Sequence, residues 1–271
     1  MKYCSPSKVT HQTINTCYDS DDIKAIADSF NSYIKHSRIC KDNKCISSKP
    51  IDLSKDDKQL YNELTKRLSI LCDKEFCWTD LQFMQDIKDK NLRDTILYFT
   101  FKPKGLPSKK TWFNNININE IMEQYQDIYK DTFTFLGAQP SDFSKIAILD
   151  WKQLLKTPYI GIIFNTDPHN KPGAHWIGVY IDNKMKSVDY FDSLGNLPNK
   201  NIVSFLKHFK KYQFTFNKRE HQKGGSNCGV YSCYFIIQRL KGRSFEHITK
   251  KLISDKMMTD YRSYLFRPIQ D

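Results

Sequence analysis

The sequence predicts an α+β fold, with a central mixed sheet flanked by helices and a mainly helical N-terminal extension. Short apolar or alternating segments of strand length occur in the C-terminal half of the chain. Longer segments with apolar residues at helical spacing lie before, between and after them. The two kinds of segment do not follow the regular βαβ order of a parallel sheet, which favours a mixed one.

The N-terminal region contains two predicted helices, residues 20–36 and 53–72, in which apolar residues recur at helical spacing between charges. A segment with two prolines and a glycine, residues 102–108, then predicts a linker. We place the domain boundary in this segment. The chain is thereby divided into an accessory region, residues 1–105, and a second domain, residues 106–271.

The second domain has a predicted helix at residues 120–131 and a buried strand at residues 159–165. Residues 173–182 and 186–192 alternate between apolar and variable positions on either side of a short polar break, so they predict a β-hairpin. A further short strand is predicted at residues 214–216, before a glycine-rich loop.

The hairpin carries a histidine on one strand and two aspartates on the other. With a turn centred between Asn183 and Lys184, antiparallel pairing places His175 directly opposite Asp192. Directly opposed Cβ atoms are about 4.5–5.5 Å apart, which permits a hydrogen bond between imidazole and carboxylate. Because side chains alternate faces along a strand, Asp189 is expected to point away from the histidine. Asp192 is therefore its predicted partner.

A cysteine stands at the start of the next predicted helix, residues 228–240. Ser226 or Asn227 is a suitable cap for this helix, and Gly242 follows its end. Cys228 would then lie at the positive end of the helix dipole, which favours a thiolate, and a neighbouring imidazolium would favour it further. A cysteine becomes nucleophilic near neutral pH in such surroundings.

Gln222 is separated from Cys228 by a loop that contains two glycines, Gly224 and Gly225. Such a loop can bend sharply and direct the Gln222 side-chain amide and the Cys228 backbone N–H toward one point. Two donors that converge there would stabilise an oxyanion, and one such donor typically contributes about 3–4 kcal/mol in a transition state.

Each of these residues has a simpler explanation when it is taken alone. A cysteine is more often a small buried apolar residue, a histidine is more often structural or exposed, and a loop glutamine is usually solvated. What favours a thiol protease site is the joint order of His175, Asp192, Gln222 and Cys228, each in the local structure that the chemistry needs.

The same order resembles the SUMO-specific protease and adenovirus protease superfamily of cysteine proteases. The matching motifs are His175-Trp176, residues 191–193 and residues 222–231. The resemblance implies the cysteine-proteinase fold of that superfamily and makes residues 106–271 the catalytic domain.

By this resemblance, four residues have catalytic roles. His175 is the general base and Asp192 is the acid that orients it. Cys228 is the nucleophile and Gln222 is the oxyanion-hole donor. Trp176 is a candidate substrate-binding wall, although core packing explains this residue equally well.

A narrower resemblance is to the virion-maturation proteases of large cytoplasmic DNA viruses, such as the African swine fever virus polyprotein protease. It is carried by residues 112–122, 161–167 and 255–267, with a further match at residues 76–78, and it covers residues 112–267 well and the preceding part weakly. That enzyme is understood to have asparagine at the position of Asp192, whereas this chain has the acid that is usual in the SUMO-protease branch, so this position does not decide between the two branches.

The narrower resemblance implies cleavage after Gly-Gly in viral structural polyprotein precursors during virion maturation. It places the enzyme in the host cytoplasm, at the virus factory, and in the virion, and it implies no cofactor. The alternative is a ubiquitin-like or SUMO deconjugating protease that acts on host conjugates. A catalytically inactive binding module with the same fold is a further alternative, but all four site residues are present.

Composition and chain ends predict a soluble intracellular protein. No apolar segment follows Met1 as in a signal peptide, and no apolar run approaches the length of a membrane span. We therefore expect the eight cysteines to be reduced thiols. The alternative for Cys40, Cys45, Cys72 and Cys77 is a structural zinc site, because each pair has a suitable spacing.

The net charge of +12 is concentrated late in the chain. Residues 200–256 hold 13 Lys and Arg against 3 Asp and Glu. A solvated face is the simplest explanation for this surplus. The alternative is non-specific binding to DNA, or attraction to an acidic partner.

Overall fold

The computed structural model describes residues 3–8, 14–41 and 44–269. The chain forms two compact units, of which the first ends at Lys102 and the second comprises Pro103–Ile269. Within the described ranges, none of the helices combines the length and the apolar composition that a membrane span requires.

The first unit is mainly helical. Its elements are α1 Ser20–Ile34, β1 Cys40–Lys41, β2 Lys44–Cys45, α2 Asp57–Leu68, a 3₁₀ helix at Glu75–Asp80, α3 Gln82–Gln85 and α4 Lys90–Phe99. A capping box between Asp19 and Asp22 starts α1. The segment predicted to be helical at residues 53–72 is helical only in α2, because Asp56 caps the helix there and fixes its start.

Six of the eight cysteines are paired as disulfides, so the expectation of reduced thiols was wrong. The pairs are Cys4–Cys17, Cys40–Cys45 and Cys72–Cys77. The expectation rested on the lack of a signal peptide, whereas pairing depends on how close folding brings two cysteines. The Cα atoms of Cys4 and Cys17 are 5.3 Å apart, within the usual range for a disulfide. Cys228 and Cys233 are free.

The zinc alternative requires Cys40, Cys45, Cys72 and Cys77 to supply four thiolates to one site. Each pair is instead joined within itself, so these thiolates are not available. Across the part of the chain that the structure describes, no three histidine, cysteine, aspartate or glutamate side chains cluster as a metal site would need.

The second unit is built on a five-stranded mixed sheet. Its elements are α5 Asn115–Ile128, β3 Phe133–Gln139, α6 Phe143–Ile146, α7 Trp151–Leu154, β4 Tyr159–Asn165, β5 Trp176–Asp182, β6 Ser187–Phe191, α8 Lys200–Leu206, a 3₁₀ helix at Lys207–Phe209, β7 Gln213–Phe216, α9 Cys228–Leu240, α10 Phe245–Thr249 and α11 Asp255–Leu265. The strand order is β3-β4-β5-β6-β7. The outer pairs are parallel and the two inner pairs are antiparallel. The predicted α+β class with a mixed sheet is confirmed.

Helices cover both faces of this sheet. Trp176 and Tyr180 of β5 face a core shared with α5, α9 and α11, whereas Ile177 faces a core shared with α6, α7 and α8. All seven residues of β5 are buried, as expected of a strand with two covered faces. Helix α9 approaches β5 closely at Gly178, where an added Cβ would lie 3.0 Å from the Phe235 ring. This close packing positions α9 on the sheet.

Candidate active site

The hairpin of β5 and β6 has a different register from the one that the sequence predicts. Asp182 pairs with Ser187, so the turn is centred one residue later than expected. A carboxylate oxygen of Asp182 accepts a hydrogen bond from the backbone N–H of Lys184 at 2.9 Å. This local turn moves the centre of the hairpin loop one residue toward the C-terminus. His175 is therefore not directly opposite Asp192, and that part of the prediction was wrong.

His175 and Asp192 meet nevertheless, because each lies one residue outside its strand. His175 precedes β5 and Asp192 follows β6. Nε2 of His175 is 2.6 Å from Oδ1 of Asp192. Moving the turn centre by one residue shifts the pairing by two positions, which keeps every side chain on its predicted face. Asp189 instead forms an ion pair with Arg239 at 2.9 Å, away from the histidine.

Asp192 is fixed by hydrogen bonds that the sequence did not reveal. Its backbone N–H donates to Asn217 Oδ1 at 2.9 Å, and Asn217 Nδ2 donates to its carbonyl at 2.6 Å. The backbone N–H of Leu194 donates at 2.8 Å to the same carboxylate oxygen that faces His175. Asn217 reaches this place because β7 pairs in parallel with β6 and ends level with it.

Cys228 opens α9 as predicted and lies close enough to His175 to influence the pKa of the imidazole. Because Asp192 engages Nε2 of the imidazole, Nδ1 is the nitrogen left for the thiol. Burial lowers the pKa of His175, but the hydrogen bonds and charges of Asp192 and Cys228 outweigh it and raise the pKa to about 9. The ring is then cationic at neutral pH, and a cationic imidazole favours the thiolate of a neighbouring cysteine.

The start of α9 is held by α11. Asn227 occupies the N-cap position, but its side chain makes no capping bond to α9. It accepts a hydrogen bond from Arg262 Nε at 2.9 Å and donates one to Thr259 Oγ1 at 3.0 Å. The helix that begins at Cys228 is thus anchored by side chains of the terminal helix.

Gln222 lies buried beside the segment that follows Asp192. Its Oε1 accepts a hydrogen bond from the Ser193 hydroxyl at 2.8 Å, and its Nε2 donates to the carbonyls of Gly225 at 3.2 Å and Gly224 at 3.4 Å. Gly225 has φ of +75°, so the loop uses a conformation that favours glycine. Since Nε2 contacts these carbonyls, the predicted oxyanion-hole role of Gln222 stays a prediction.

Trp176, the predicted substrate-binding residue, is packed in the core and also lines a cleft. Its Nε1 donates to the Phe113 carbonyl at 2.8 Å, which fixes the indole. The cleft has a volume of about 570 Å³, and Trp112 and Ala174 also line it. Because Ala174 directly precedes His175, the cleft extends to the segment that carries the histidine.

Three contributors to this site were not identified from the sequence: Ser193, Asn217 and Arg262. Ser193 had a local signal, since it directly follows Asp192 in the matched motif. Asn217 and Arg262 had none, because only the pairing of β7 and the packing of α11 bring them to the site.

The sequence matches the model of the Ulp1 protease family, C-terminal catalytic domain, over residues 139–271. A thiol protease of Acanthamoeba polyphaga mimivirus is 31% identical over 98% of this chain and 94% of its own length. A cysteine protease of African swine fever virus is 25% identical over 82% of this chain and 93% of its own. The ubiquitin-like-specific protease 1 of Saccharomyces cerevisiae is 25% identical over 46% of this chain and 22% of its own.

A crystal structure of the African swine fever virus protease has the same fold. It matches the chain with a TM-score of 0.67 at 20% sequence identity, over 98% of this chain and 96% of that one. The predicted cysteine-proteinase fold is thereby confirmed. With a thiol protease as a relative along nearly its whole length, the chain belongs to the Ulp1 protease family and is a cysteine peptidase.

Proposed function

We propose that this peptidase cleaves after Gly-Gly in viral structural polyprotein precursors during virion maturation. The observation that carries the proposal is the hydrogen bond between Asp192 and His175, with the buried Cys228 beside the imidazole at the start of a helix. The similarity to viral proteases along most of the chain supports a viral substrate. The proposed place of action is the virus factory in the host cytoplasm and the virion.

In the proposed mechanism, Cys228 and His175 rest as a thiolate and an imidazolium, and the thiolate attacks the scissile carbonyl carbon. The Gln222 amide and the Cys228 backbone N–H stabilise the oxyanion that forms. His175 then donates its proton to the leaving amine, which leaves an acyl-enzyme on the sulfur. A water molecule, deprotonated by the now neutral His175, hydrolyses the thioester and restores the thiolate and the imidazolium. Asp192 keeps the imidazole oriented and stabilises its cationic form throughout.

The preference for glycine is supported by the walls of the cleft. Trp176 is fixed by its bond to Phe113, and Trp112 contributes a second large aromatic side chain. Glycine has no Cβ, so two glycines before the cut can pass between large side chains where other residues would clash. Trp176 is thus the proposed substrate-binding residue.

The test compares wild type with Cys228→Ala on a Gly-Gly-X peptide, with Gly-Ala-X and Ala-Gly-X as matched controls. We expect wild type to cleave only the first peptide, and the alanine variant to cleave none. Cleavage by Cys228→Ala would show that Cys228 is not the nucleophile. Equal cleavage of the three peptides would refute the proposed preference for Gly-Gly.

The second candidate is a deconjugating protease for ubiquitin or SUMO. The relative in yeast is named as a ubiquitin-like-specific protease, which favours this candidate. A deconjugating enzyme recognises a folded modifier, so it should cleave a ubiquitin-like fusion far faster than a short peptide with the same Gly-Gly-X junction. A maturation protease should cleave the short peptide at least as fast.

We further propose non-specific DNA binding through the basic C-terminal region. Exposed cations lie in two segments of this region, after the end of α8 at Lys207, Lys210 and Lys211 and after β7 at Lys218 and Arg219. Such a cluster attracts phosphates, and the affinity should fall steeply with salt. Fluorescence anisotropy with labelled duplex DNA at physiological salt tests this proposal, and absence of binding there would refute it.

A further inference from the structure

Arg262 of α11 is a buried guanidinium beside the two residues that precede Cys228. Its side chain makes four hydrogen bonds, and the residue is only 6% exposed. Nε donates to Asn227 Oδ1 at 2.9 Å, Nη1 to the Thr111 carbonyl at 2.8 Å, and Nη2 to the Ser226 carbonyl and hydroxyl at 3.0 and 3.4 Å. All four acceptors are neutral. These bonds engage at most four of the five N–H groups, and they place no anion beside the charge.

The carboxylates of the same helix are engaged elsewhere. Asp255 accepts a hydrogen bond from the Tyr231 hydroxyl at 3.1 Å, and Asp260 pairs with Lys256 at 3.0 Å. Among the ion pairs formed by the described residues, none includes Arg262. A buried cation is costly without an anion nearby.

Cys228, which is a thiolate under the proposed function, directly follows the Ser226-Asn227 pair that Arg262 binds. Burial lowers the pKa of Arg262, and the charge of Cys228 acts in the opposite direction. The Phe113 ring lies over the guanidinium, with 4.8 Å between the ring centroid and Cζ. Removal of water by this ring and the helix lowers the local dielectric and strengthens the attraction between the two charges.

We propose that Arg262 is a positioning residue that stabilises the Cys228 thiolate and holds the Ser226-Asn227 turn before it. The inference rests on the proposed role of Cys228 as nucleophile. Two cations then act on the sulfur. His175, which is hydrogen-bonded to Asp192, does so as the neighbouring imidazolium, and Arg262 does so through its charge and through the turn.

The test is the pH dependence of Cys228 alkylation by iodoacetamide, followed by mass spectrometry of the peptide that contains it. Replacement of the cation by an apolar side chain of similar length, Arg262→Met, should move the midpoint of the rate profile about one unit to higher pH. Alkylation below the midpoint should then be roughly tenfold slower at a given pH. Arg262→Lys keeps a charge and should fall between the two.

The matched control is Lys256→Met, which removes an exposed cation from the same helix. It should leave the midpoint unchanged. A folded Arg262→Met protein with the wild-type midpoint would overturn the inference. If that variant does not fold, Asn227→Asp gives the test, because it supplies Arg262 with a carboxylate at the position of an existing bond. Its midpoint should also rise, and an unmoved midpoint would overturn the inference.

Failure of this inference can be told apart from failure of the proposed function. Persistent cleavage by Cys228→Ala would refute the proposed nucleophile, and the alkylation profiles would still report on Arg262. An inactive Cys228→Ala together with a wild-type profile for Arg262→Met would refute only the role of Arg262.

Discussion

Oδ1 of Asp192 lies 2.6 Å from Nε2 of His175, and the same oxygen accepts the backbone N–H of Leu194 at 2.8 Å. The carboxylate is therefore oriented by the backbone independently of the histidine. The carbonyl oxygen of an asparagine could accept the same two hydrogen bonds without carrying a charge. This geometry allows orientation and charge to be separated by mutation.

Asp192→Asn should retain more activity than Asp192→Ala. The asparagine keeps an acceptor for the imidazole but loses the charge, so we expect kcat/KM on a Gly-Gly-X peptide to fall about 100-fold, against about 10⁴-fold for alanine. Steady-state kinetics of both variants test this. Equal losses would mean that orientation of His175 is not what Asp192 contributes.

His175 should make stability depend on pH in the alkaline range. Its pKa of about 9 in the folded protein exceeds the value of about 6.5 expected in the unfolded chain, so folding favours the protonated ring. The resulting stabilisation is fully present below pH 6.5, and it is lost as pH rises to about 9. It amounts to roughly 3 kcal/mol.

Urea unfolding at pH 6 and pH 9.5 measures this contribution, with His175→Gln as the control that cannot titrate. The loss of unfolding free energy between the two pH values should be larger in wild type than in the variant. Equal losses in both proteins would contradict the link to His175.

Under the proposed mechanism, kcat/KM should also fall as pH rises through about 9, because the imidazolium that accompanies the thiolate is lost.

The sequence predicts those elements whose local signals agree with their packing. Residues 159–165 and 228–240 have continuous apolar runs of strand and helix length, and both are found with the predicted bounds. Helix α5 starts at Asn115, before the expected start at residue 120. The reason is a capping box between Asn114 and Asn117. Several asparagines lie close together in this segment, so the sequence does not indicate which of them is the cap.

The hairpin register and the supporting residues of the site depend on contacts that a sequence does not display. The turn was misplaced because the side chain of Asp182 forms its own bonds to the turn backbone. The contact between His175 and Asp192 could be predicted because side chains alternate between the two faces of a strand. A shift of the strand pairing by two positions leaves each side chain on the same face. Arg262 could not be predicted, because it is more than thirty residues from Cys228 and reaches the preceding Ser226 and Asn227 only through the packing of α11.

The disulfides predict a specific count of thiols. Under denaturing but non-reducing conditions, two thiols per chain should react, those of Cys228 and Cys233, because the other six cysteines are paired. Mass spectrometry of alkylated protein before and after reduction gives both the count and the positions. Eight reactive thiols without reduction would contradict the pairing.

Reduction should also lower the thermal stability of the first unit, since removing a disulfide typically costs about 2–5 kcal/mol.

Ser193 should affect catalysis through Gln222. Its hydroxyl donates to Gln222 Oε1 at 2.8 Å, and its carbonyl accepts the Gln222 backbone N–H at 2.9 Å. Ser193→Ala keeps the backbone bond and frees the amide to rotate. We expect kcat to fall about tenfold with KM nearly unchanged, because an oxyanion-hole donor acts mainly in the transition state.

Gln222→Ala sets the limit for this effect, with an expected loss in kcat of about 100-fold or more. Ser193→Ala should have no further effect in that background, because its only proposed action is to hold the amide. Steady-state kinetics of the two single variants and the double variant form the cycle. Losses that multiply in the double variant would show that Ser193 acts on something other than Gln222. Losses no larger than that of Gln222→Ala alone would assign to Ser193 the placement of the oxyanion-hole donor.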